Sequence, residues 1–228
     1  VPEVSSENRR FIPIAFLDQR TVASNKIQMV VGGTLYHFGV LTSTMHMAWM
    51  RAVAGRLESR YSYAPAVYNN FPWPELPGAT HKSDSRLRGN DEQKHGRNDE
   101  QEERGIAEQG ERGNDAQAAP AQGGQGHKHR AAIEAAAQAV LDARAQFEGA
   151  TLADLYDPLT MPPALVKAHA ALDKAVDAAY LAAEKAAGRK PPKLSTDAER
   201  VAFLFERYQA LTSLLPADKP KKPARKRG

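Results

Sequence analysis

The sequence predicts an α+β protein, in which a partial mixed sheet with one long amphipathic helix precedes a small all-α helical subdomain. Two runs rich in Ile, Val and Phe lie near the amino terminus, and an apolar stripe with steps of three and four residues follows them. The second half of the 228-residue chain is rich in alanine with helical spacing, and a polar stretch separates the halves. With 42% apolar residues the chain is able to bury a core.

The first region, residues 1–78, contains the predicted strands and the long helix. The strands are FIPIAFL at 11–17 and KIQMVVGG at 26–33, because both runs are β-branched or aromatic and are bounded by turn-forming residues. The helix follows in LYHFGVLTSTMHMAWMRAVAG, with Thr42 and Ser43 expected on its polar side. The apolar side of this helix is formed by Phe38, Leu41, Met45, Trp49 and Ala52.

Residues 79–128 form a predicted disordered, low-complexity insertion. Larger aliphatic residues are almost absent from this segment, and short polar strings recur in it, as RGNDEQ at 88–93 and RGNDAQ at 112–117. With so little apolar surface to bury, such a segment does not offset the entropy lost on ordering.

Residues 129–215 are predicted to form three main helices. Pro162 and Pro163 suit the first turn of the middle helix, and Thr196 with Glu199 forms a capping-box pair at the start of the last. The apolar stripe of the first helix is Ile133, Ala137, Val140, Leu141 and Phe147; that of the last is Val201, Leu204, Phe205, Tyr208, Leu211 and Leu215. Packed together, the stripes predict a helical subdomain.

The net charge of +4 is concentrated at the end of the chain. Residues 216–228 carry six Lys or Arg and one acidic residue, so they are expected to form a basic disordered tail; the alternative is that the tail adds sequence-independent attraction to phosphates. In either case the tail indicates little about what the folded part does. The chain has no cysteine, which excludes disulfides and thiol catalysis and fits a reducing cytoplasm. No apolar run is long enough to span a bilayer, so a cytoplasmic protein without membrane contact is expected.

The stretch YNNFPWP at 68–74 raises the question of a catalytic loop. Catalysis on the exocyclic amino group of a base needs an amide or acidic residue directly before two adjacent prolines, but here Phe71 follows Asn70 and Trp73 separates Pro72 from Pro74. Alternating prolines favour an extended segment that packs Phe71 and Trp73 into the fold. We therefore interpret the stretch as structural.

Other signatures of catalysis are missing from the sequence. No glycine-rich strand-to-helix turn for a nucleotide or methyl donor is present, and no nucleophile or metal-nuclease motif. HKH at 127–129 falls within the predicted insertion, where incidental metal affinity is the most to expect. His46 and His169 are interpreted as ordinary residues on helix faces. The sequence thus predicts no catalytic, cofactor-binding or metal site in this chain.

The polar cluster GRLESRYSY at 55–63 has the strongest binding signal. Arg56, Glu58 and Arg60 alternate, so in an extended segment their side chains point to one side. Arginine grips guanine with two donors and glutamate accepts from the amino group of cytosine, so an Arg–Glu pair can read one G·C pair in the major groove. The alternative interpretation is a solvated ionic loop.

Five runs of sequence carry a family resemblance. They are SSENRRFIPIAFL, LYHFGVLTSTMHMAWMRAVAGRLESRYSY, VYNNFPWPEL, ATLADLYDPLTMPPALVKAHAALDKAVDAAY and DAERVAFLFERYQAL. In this order they resemble the carboxy-terminal part of MmeI-like type IIG or IIL single-chain DNA adenine methyltransferases of restriction-modification systems. The resemblance implies that residues 1–78 are the later part of a target recognition domain and 129–215 a helical carboxy-terminal segment.

The resemblance also implies roles for individual residues. Glu58 and Arg60 become candidates for DNA base readout, and Arg51 and Arg56 for phosphate contact, since backbone contacts fix register while base contacts carry sequence information. The expected partners are double-stranded DNA and a methyltransferase domain on an upstream or separate polypeptide, where S-adenosylmethionine binds.

The resulting prediction is the sequence-recognition portion of a site-specific DNA adenine methyltransferase, inactive on its own. The alternative is a non-catalytic helical adaptor, similar to a stand-alone specificity subunit.

Overall fold

The computed structural model describes residues 1–18, 20–76 and 124–213. Helices dominate these residues, and one three-stranded sheet accompanies them. Both of its strand pairs are antiparallel, so the predicted mixed sheet is wrong. The architecture agrees with the predicted α+β class. Apart from residues 124–128, the predicted insertion lies outside the described residues, and so does the predicted tail.

The sheet consists of strands β1 (Val4–Ser5), β2 (Gly55–Leu57) and β3 (Arg60–Ser62) in the order β1-β3-β2. The two strands predicted at 11–17 and 26–33 are wrong. Ile27 forms a single bridge with Pro2, and the first run contains Pro13, which has no N–H to donate to a ladder. Instead, the first run buries side chains in the core, including Phe11 and Ile12.

The predicted long helix is two helices, α1 (Leu35–Leu41) and α2 (Thr44–Val53). The Thr42 hydroxyl donates to the carbonyl of Phe38, and the Ser43 hydroxyl donates to the carbonyl of Val40 at 2.7 Å and accepts from the His46 N–H. Both hydroxyl residues were predicted on an exposed face but are buried. They satisfy backbone groups at the break between the helices, which apolar side chains do not do.

A one-turn helix, α3 (Pro65–Asn69), leads into the extended stretch that contains the alternating prolines. Phe71 is buried, Trp73 is half-buried, and the Pro72 carbonyl accepts a hydrogen bond from the Tyr180 hydroxyl at 2.9 Å. The structural interpretation of YNNFPWP is confirmed, because its aromatic rings and its backbone are used in packing.

The remaining helices are α4 (Gln125–Ala145), α5 (Leu152–Leu155), α6 (Pro163–Ala186) and α7 (Asp197–Thr212). Helix α6 begins at Pro163 and is followed by Gly188 with a φ of +69°. The capping box of α7 is confirmed: the Glu199 N–H donates to the Thr196 hydroxyl at 3.2 Å, and the Thr196 N–H donates to the Glu199 carboxylate at 3.1 Å. Helix α4 begins four residues inside the predicted insertion 79–128, so HKH lies on a helix.

The carboxy-terminal helices pack against the helices of the first region. Helix α4 packs against both α1 and α6, α7 packs against α2, and one hydrophobic cluster includes residues from every helix. At Gly39 a larger side chain would have no room, since a Cβ would lie 2.8 Å from Cγ2 of Ile133 and 3.3 Å from Cδ1 of Leu172. Glycine therefore allows α1 to approach α4 and α6 closely.

The buried face of α7 differs from the predicted stripe. Leu204 is buried as expected, but Phe205 and Leu211 are exposed, while Phe203, Arg200 and Arg207 are buried. The two arginines reach back to α6, where Arg200 pairs with Asp177 at 2.7 Å and Arg207 pairs with Glu184. Because of these ion pairs, the face of α7 that carries both arginines packs toward the core. A search for apolar stripes does not detect a buried face of this kind. Leu215 lies outside the described residues.

Candidate DNA interface

The cluster GRLESRYSY forms a tight β-hairpin. Strands β2 and β3 pair with Arg56 opposite Tyr61 and Leu57 opposite Arg60, which leaves Glu58 and Ser59 as a two-residue turn. Glu58 has a φ of +57°, and among the described residues it is the only non-glycine residue with a positive φ. A left-handed residue suits the twist of a two-residue hairpin, but it is unfavourable for a glutamate. Backbone strain of this kind is frequent at functional sites.

The hairpin separates side chains that the sequence predicted on one side. Opposed residues share a face and successive residues alternate, so Arg56 and Arg60 lie on opposite faces. The prediction that Arg56, Glu58 and Arg60 point the same way is therefore wrong, because the chain reverses between them.

Glu58 and Arg60 form an exposed ion pair at the tip of the hairpin. The Arg60 guanidinium donates to the Glu58 carboxylate at 2.8 Å, and the Arg60 and Glu58 side chains are 46% and 78% exposed respectively. The neighbouring Leu57 is also exposed. Both charged groups can therefore reach a molecule that approaches the tip, and their hydrogen-bonding atoms lie side by side.

Arg56 supports the hairpin from its other face. Its guanidinium lies 3.9 Å from the ring centroid of Tyr61, and it donates to the Ser59 carbonyl at 2.9 Å. Tyr61 is buried, so this contact joins the hairpin to the body of the protein. Arg56 itself is exposed.

Glu7, which sequence reasoning missed, lies beside the same hairpin. Hydrogen bonds from its own backbone and from the Ser59 side chain, with the charges of Arg56 and Arg60, hold the pKa of Glu7 below its ordinary value. The cluster contains two arginines and two glutamates and is formally neutral. Local sequence has no signal for this contact, because more than 50 residues separate Glu7 from the hairpin tip.

Arg51 lies on α2 and is occupied by contacts within the protein. Its guanidinium donates to the Asp197 carboxylate at 2.5 Å and to the Arg9 carbonyl at 3.4 Å. The structure thus groups Arg56, Glu58 and Arg60 in the hairpin and gives Arg51 a separate role in holding the start of α7.

His46 and His169, expected on ordinary helix faces, are fully buried. Each hydrogen-bonds a tyrosine: His46 to the hydroxyl of Tyr63 at 3.1 Å, and His169 to the hydroxyl of Tyr156 at 2.7 Å. Burial lowers the pKa of both imidazoles to about 3, so they are neutral at physiological pH. Among the described residues, no group of His, Asp and Glu is arranged to hold a metal ion, and no helix is long and apolar enough to span a membrane.

Two family models match the chain on either side of its central polar stretch. The MmeI target recognition domain matches residues 1–75, and the MmeI C-terminal domain matches residues 125–216. The chain belongs to the MmeI family. The sheet, α1, α2, α3 and the hairpin are thus part of an MmeI target recognition domain, and α4 to α7 form the MmeI C-terminal domain.

Relatives of the MmeI family agree with this assignment. DNA methyltransferase A of Bacillus subtilis (strain 168) is 33% identical over 213 residues, which cover 93% of this chain and 18% of that protein. The solved structure of the type IIL restriction-modification enzyme MmeI in complex with DNA is 40% identical, with a TM-score of 0.63, and is matched over 94% of this chain and 21% of that one. The chain spans about a fifth of the length of these two relatives.

The two MmeI domains are joined by polar contacts as well as by apolar packing. Arg144 on α4 donates to the carbonyl of Ile14 at 2.7 Å, and Asp173 on α6 accepts from the Thr44 N–H at the start of α2 at 2.7 Å. In both bonds, a backbone group of the target recognition domain is held by a side chain of the C-terminal domain. Because α2 leads directly into β2, the C-terminal domain supports the base of the hairpin.

Proposed function

We propose that this chain binds double-stranded DNA and selects the sequence at which a DNA adenine methyltransferase of the restriction-modification type acts. The observation that carries the proposal is an exposed Glu–Arg pair at the tip of a hairpin in an MmeI target recognition domain. The DNA in the solved MmeI complex supports the same class of ligand. We place this activity in the cytoplasm, as the cysteine-free composition favours.

The hairpin tip supplies the chemistry for reading one base pair. Arg60 can donate two hydrogen bonds to O6 and N7 of guanine, and Glu58 can accept one from the N4 amino group of the paired cytosine. On binding, the hydrogen bond between Glu58 and Arg60 would be replaced by hydrogen bonds from each side chain to the edge of a base. Neither charge would then be left unpaired. A near-neutral tip contributes little to non-specific attraction, and its effect is therefore on sequence choice rather than on overall affinity.

Phosphate contacts are assigned to Arg56 and Arg51. Arg56 is the stronger candidate, because its guanidinium is held against Tyr61 beside the tip and is exposed. For Arg51, a phosphate contact would compete with the ion pair to Asp197. Methyl transfer is assigned to a methyltransferase domain outside this chain, where S-adenosylmethionine would bind; the chain alone is expected to have no turnover.

The alternative of a helical adaptor receives less support. An adaptor needs a continuous apolar helix face for a partner, but most apolar side chains of α4 and α6 pack in the common core with α1 and α2. On α7, Phe203 and Leu204 are in this core, while Phe205 and Leu211 are exposed.

A charge reversal at the hairpin tip tests the proposal. In a chimera, this chain replaces the aligned span of Bacillus subtilis DNA methyltransferase A, and Glu58→Lys is combined with Arg60→Asp. We expect methylation to persist and the preferred base pair to change at one position of the site, as read by sequencing of methylated DNA. A specificity change of about tenfold or more corresponds to one bidentate contact.

The matched control reverses another Arg–Glu pair, Arg130→Glu with Glu134→Arg on α4, where the two side chains are about one-third exposed. This control should leave the site unchanged. If the hairpin variant methylates the original site with full activity, Glu58 and Arg60 do not read bases.

A further inference from the structure

The hairpin exposes one apolar side chain beside its charged tip. Leu57 is the last residue of β2 and is 50% exposed. It belongs neither to the core cluster nor to the partly buried apolar residues that pack against that cluster. A single exposed leucine is ordinary on a protein surface. The position of Leu57 in the hairpin distinguishes it from such a residue.

The two faces of the hairpin differ. Successive residues alternate between the faces, and opposed residues share one. Tyr61 is buried and marks the inner face. Leu57 is paired with Arg60, so both side chains lie on the outer face. The other pair on this face is Gly55 with Ser62. Because glycine has no side chain and serine a short one, this pair leaves Leu57 uncovered.

The spacing of the hairpin matches that of neighbouring base pairs. Opposed side chains in an antiparallel pair have Cβ atoms about 4.5–5.5 Å apart. Successive bases along one strand of B-DNA are about 3.4 Å apart. When the guanidinium of Arg60 contacts a guanine, Leu57 therefore lies over an adjacent base pair.

An apolar side chain in the major groove has its best complement in the 5-methyl group of thymine. Most other groups exposed on base edges there are hydrogen-bond donors and acceptors. A leucine against a G·C pair would exclude water from such groups without replacing their hydrogen bonds, which is unfavourable. Leu57 is therefore suited to a base pair that contains thymine and unsuited to one that does not.

We propose that Leu57 is a specificity-determining residue, which contacts the 5-methyl group of a thymine in the base pair next to the one read by Glu58 and Arg60. This inference rests on the proposed function, because the hairpin tip has to lie in the major groove. The surroundings favour DNA as the occupant, since the adjacent Glu–Arg pair suits base edges and a solved MmeI structure is in complex with DNA. One leucine among charged side chains gives too small an apolar area for a stable protein interface.

Replacement of thymine by uracil, which lacks only the 5-methyl group, tests the contact. The enzyme is the chimera of this chain with Bacillus subtilis DNA methyltransferase A, and its site is first determined by sequencing of methylated DNA. The thymines of the site are then replaced one at a time, and kcat/KM for methylation is measured on each duplex. We expect a loss of about threefold to fivefold for one thymine, next to the base pair that changes when Glu58→Lys is combined with Arg60→Asp.

Three variants separate base contact from support of the fold. Leu57→Ala should remove the difference between thymine and uracil, because the methyl group would lose its partner. Leu57→Met keeps an apolar side chain of similar volume and should retain most of the difference. The matched control is Leu159→Ala, between α5 and α6, where the leucine is 92% exposed. This control should leave the ratio of the two rates unchanged.

Three results would overturn the role of Leu57. The first is a site with no thymine in either base pair next to the one that Glu58 and Arg60 select. The second is equal rates on the thymine and uracil duplexes with the unmodified chimera. The third is an equal loss on both duplexes in Leu57→Ala, which would mean that the leucine supports the hairpin or is inserted between base pairs.

Failure of the proposed function gives a different result. In that case Glu58→Lys with Arg60→Asp leaves the methylated site unchanged, which would overturn both proposals. If only the role of Leu57 is wrong, the charge reversal still changes the site, and thymine and uracil are equivalent beside it.

Discussion

Two Glu–Arg pairs in this protein have the same chemistry and opposite surroundings. Glu184 of α6 and Arg207 of α7 pair where both side chains are 6% exposed, and Arg189 adds a second contact to Glu184 at 2.5 Å. Glu58 and Arg60 pair at the hairpin tip in open solvent. Burial would raise the pKa of Glu184, but hydrogen bonds from Arg189 and Arg207 outweigh it and hold that pKa below its ordinary value.

The difference shows how position determines the role of an ion pair. A buried charge that loses its partner is not solvated by water, so separating Glu184 from Arg207 is costly. The Glu184 pair therefore stays closed and joins α6 to α7. An exposed charge that loses its partner is solvated, so the Glu58 pair can open at small cost and exchange partners with a base. The first pair supports the domain, and the second is free to bind.

The largest test of this comparison removes one carboxylate from each pair. Glu184→Ala should lower the free energy of unfolding by about 2–4 kcal/mol, because Arg207 would stay buried with only the more distant carboxylate of Glu75, at 3.5 Å, beside it. Glu58→Ala should lower it by less than about 1 kcal/mol. Urea denaturation followed by circular dichroism measures both. Similar losses in the two variants would contradict the distinction.

Acid should weaken the buried interior before it affects the tip. His46 and His169 have pKa values of about 3 in the fold, against an ordinary value of 6.5, so below pH 6.5 the unfolded chain binds protons that the folded chain does not. Stability should therefore fall by about 2–4 kcal/mol as the pH is lowered from about 6.5 to about 5.

Denaturant titrations at several pH values check this dependence, and the variant His46→Gln with His169→Gln is the comparison. The variant should be less stable at neutral pH and should show a flatter decline. A decline as steep as that of the unmodified protein would show that other groups cause it.

Substitution of two glycines, one in a tightly packed position and one in an open position, should have smaller effects on stability. Gly39→Ala should destabilise the protein by about 1–2 kcal/mol, since crowding against Ile133 exceeds the gain of about 1 kcal/mol in helix propensity. Gly55→Ala at the start of β2 should change stability by less than about 0.5 kcal/mol, because its Cβ would lie 3.9 Å from Cβ of Ser62. Thermal unfolding measures both, and a neutral Gly39→Ala would show that α1 has room to move.

The smallest expected effect has the opposite sign. Glu58→Gly should stabilise the protein by about 0.5 kcal/mol, since glycine adopts the positive φ of this turn without strain, although part of that gain is lost to the greater freedom of the unfolded chain. Ser59→Gly, in the same turn but without a positive φ, should destabilise it slightly. The first variant should also lose discrimination at one base pair. A destabilised Glu58→Gly would mean that the ion pair, not the backbone, dominates at the tip.

The residues of the candidate site were predictable only in part, and their geometry was not predictable. Three alternating charges after a helix identify Arg56, Glu58 and Arg60, because that pattern is visible in the sequence alone. Their arrangement was missed, since the turn Glu58–Ser59 contains none of the Gly, Asn or Asp residues that signal a two-residue hairpin. Glu7 joins the cluster through the fold, and a pattern search does not find such a contact.

By itself, the sequence determined the α+β class, the family, the structural role of YNNFPWP and the starts of α6 and α7. These features depend on nearby residues: the proline at the start of α6, the capping box of α7 and the spacing of Ile133, Ala137 and Val140. The tertiary structure decided the break at Thr42, the buried face of α7, the fate of the apolar runs at 11–17 and 26–33, and the faces of the hairpin. Each of these depends on which distant segment supplies a hydrogen bond, a counter-charge or a neighbouring strand, and no local pattern contains that information.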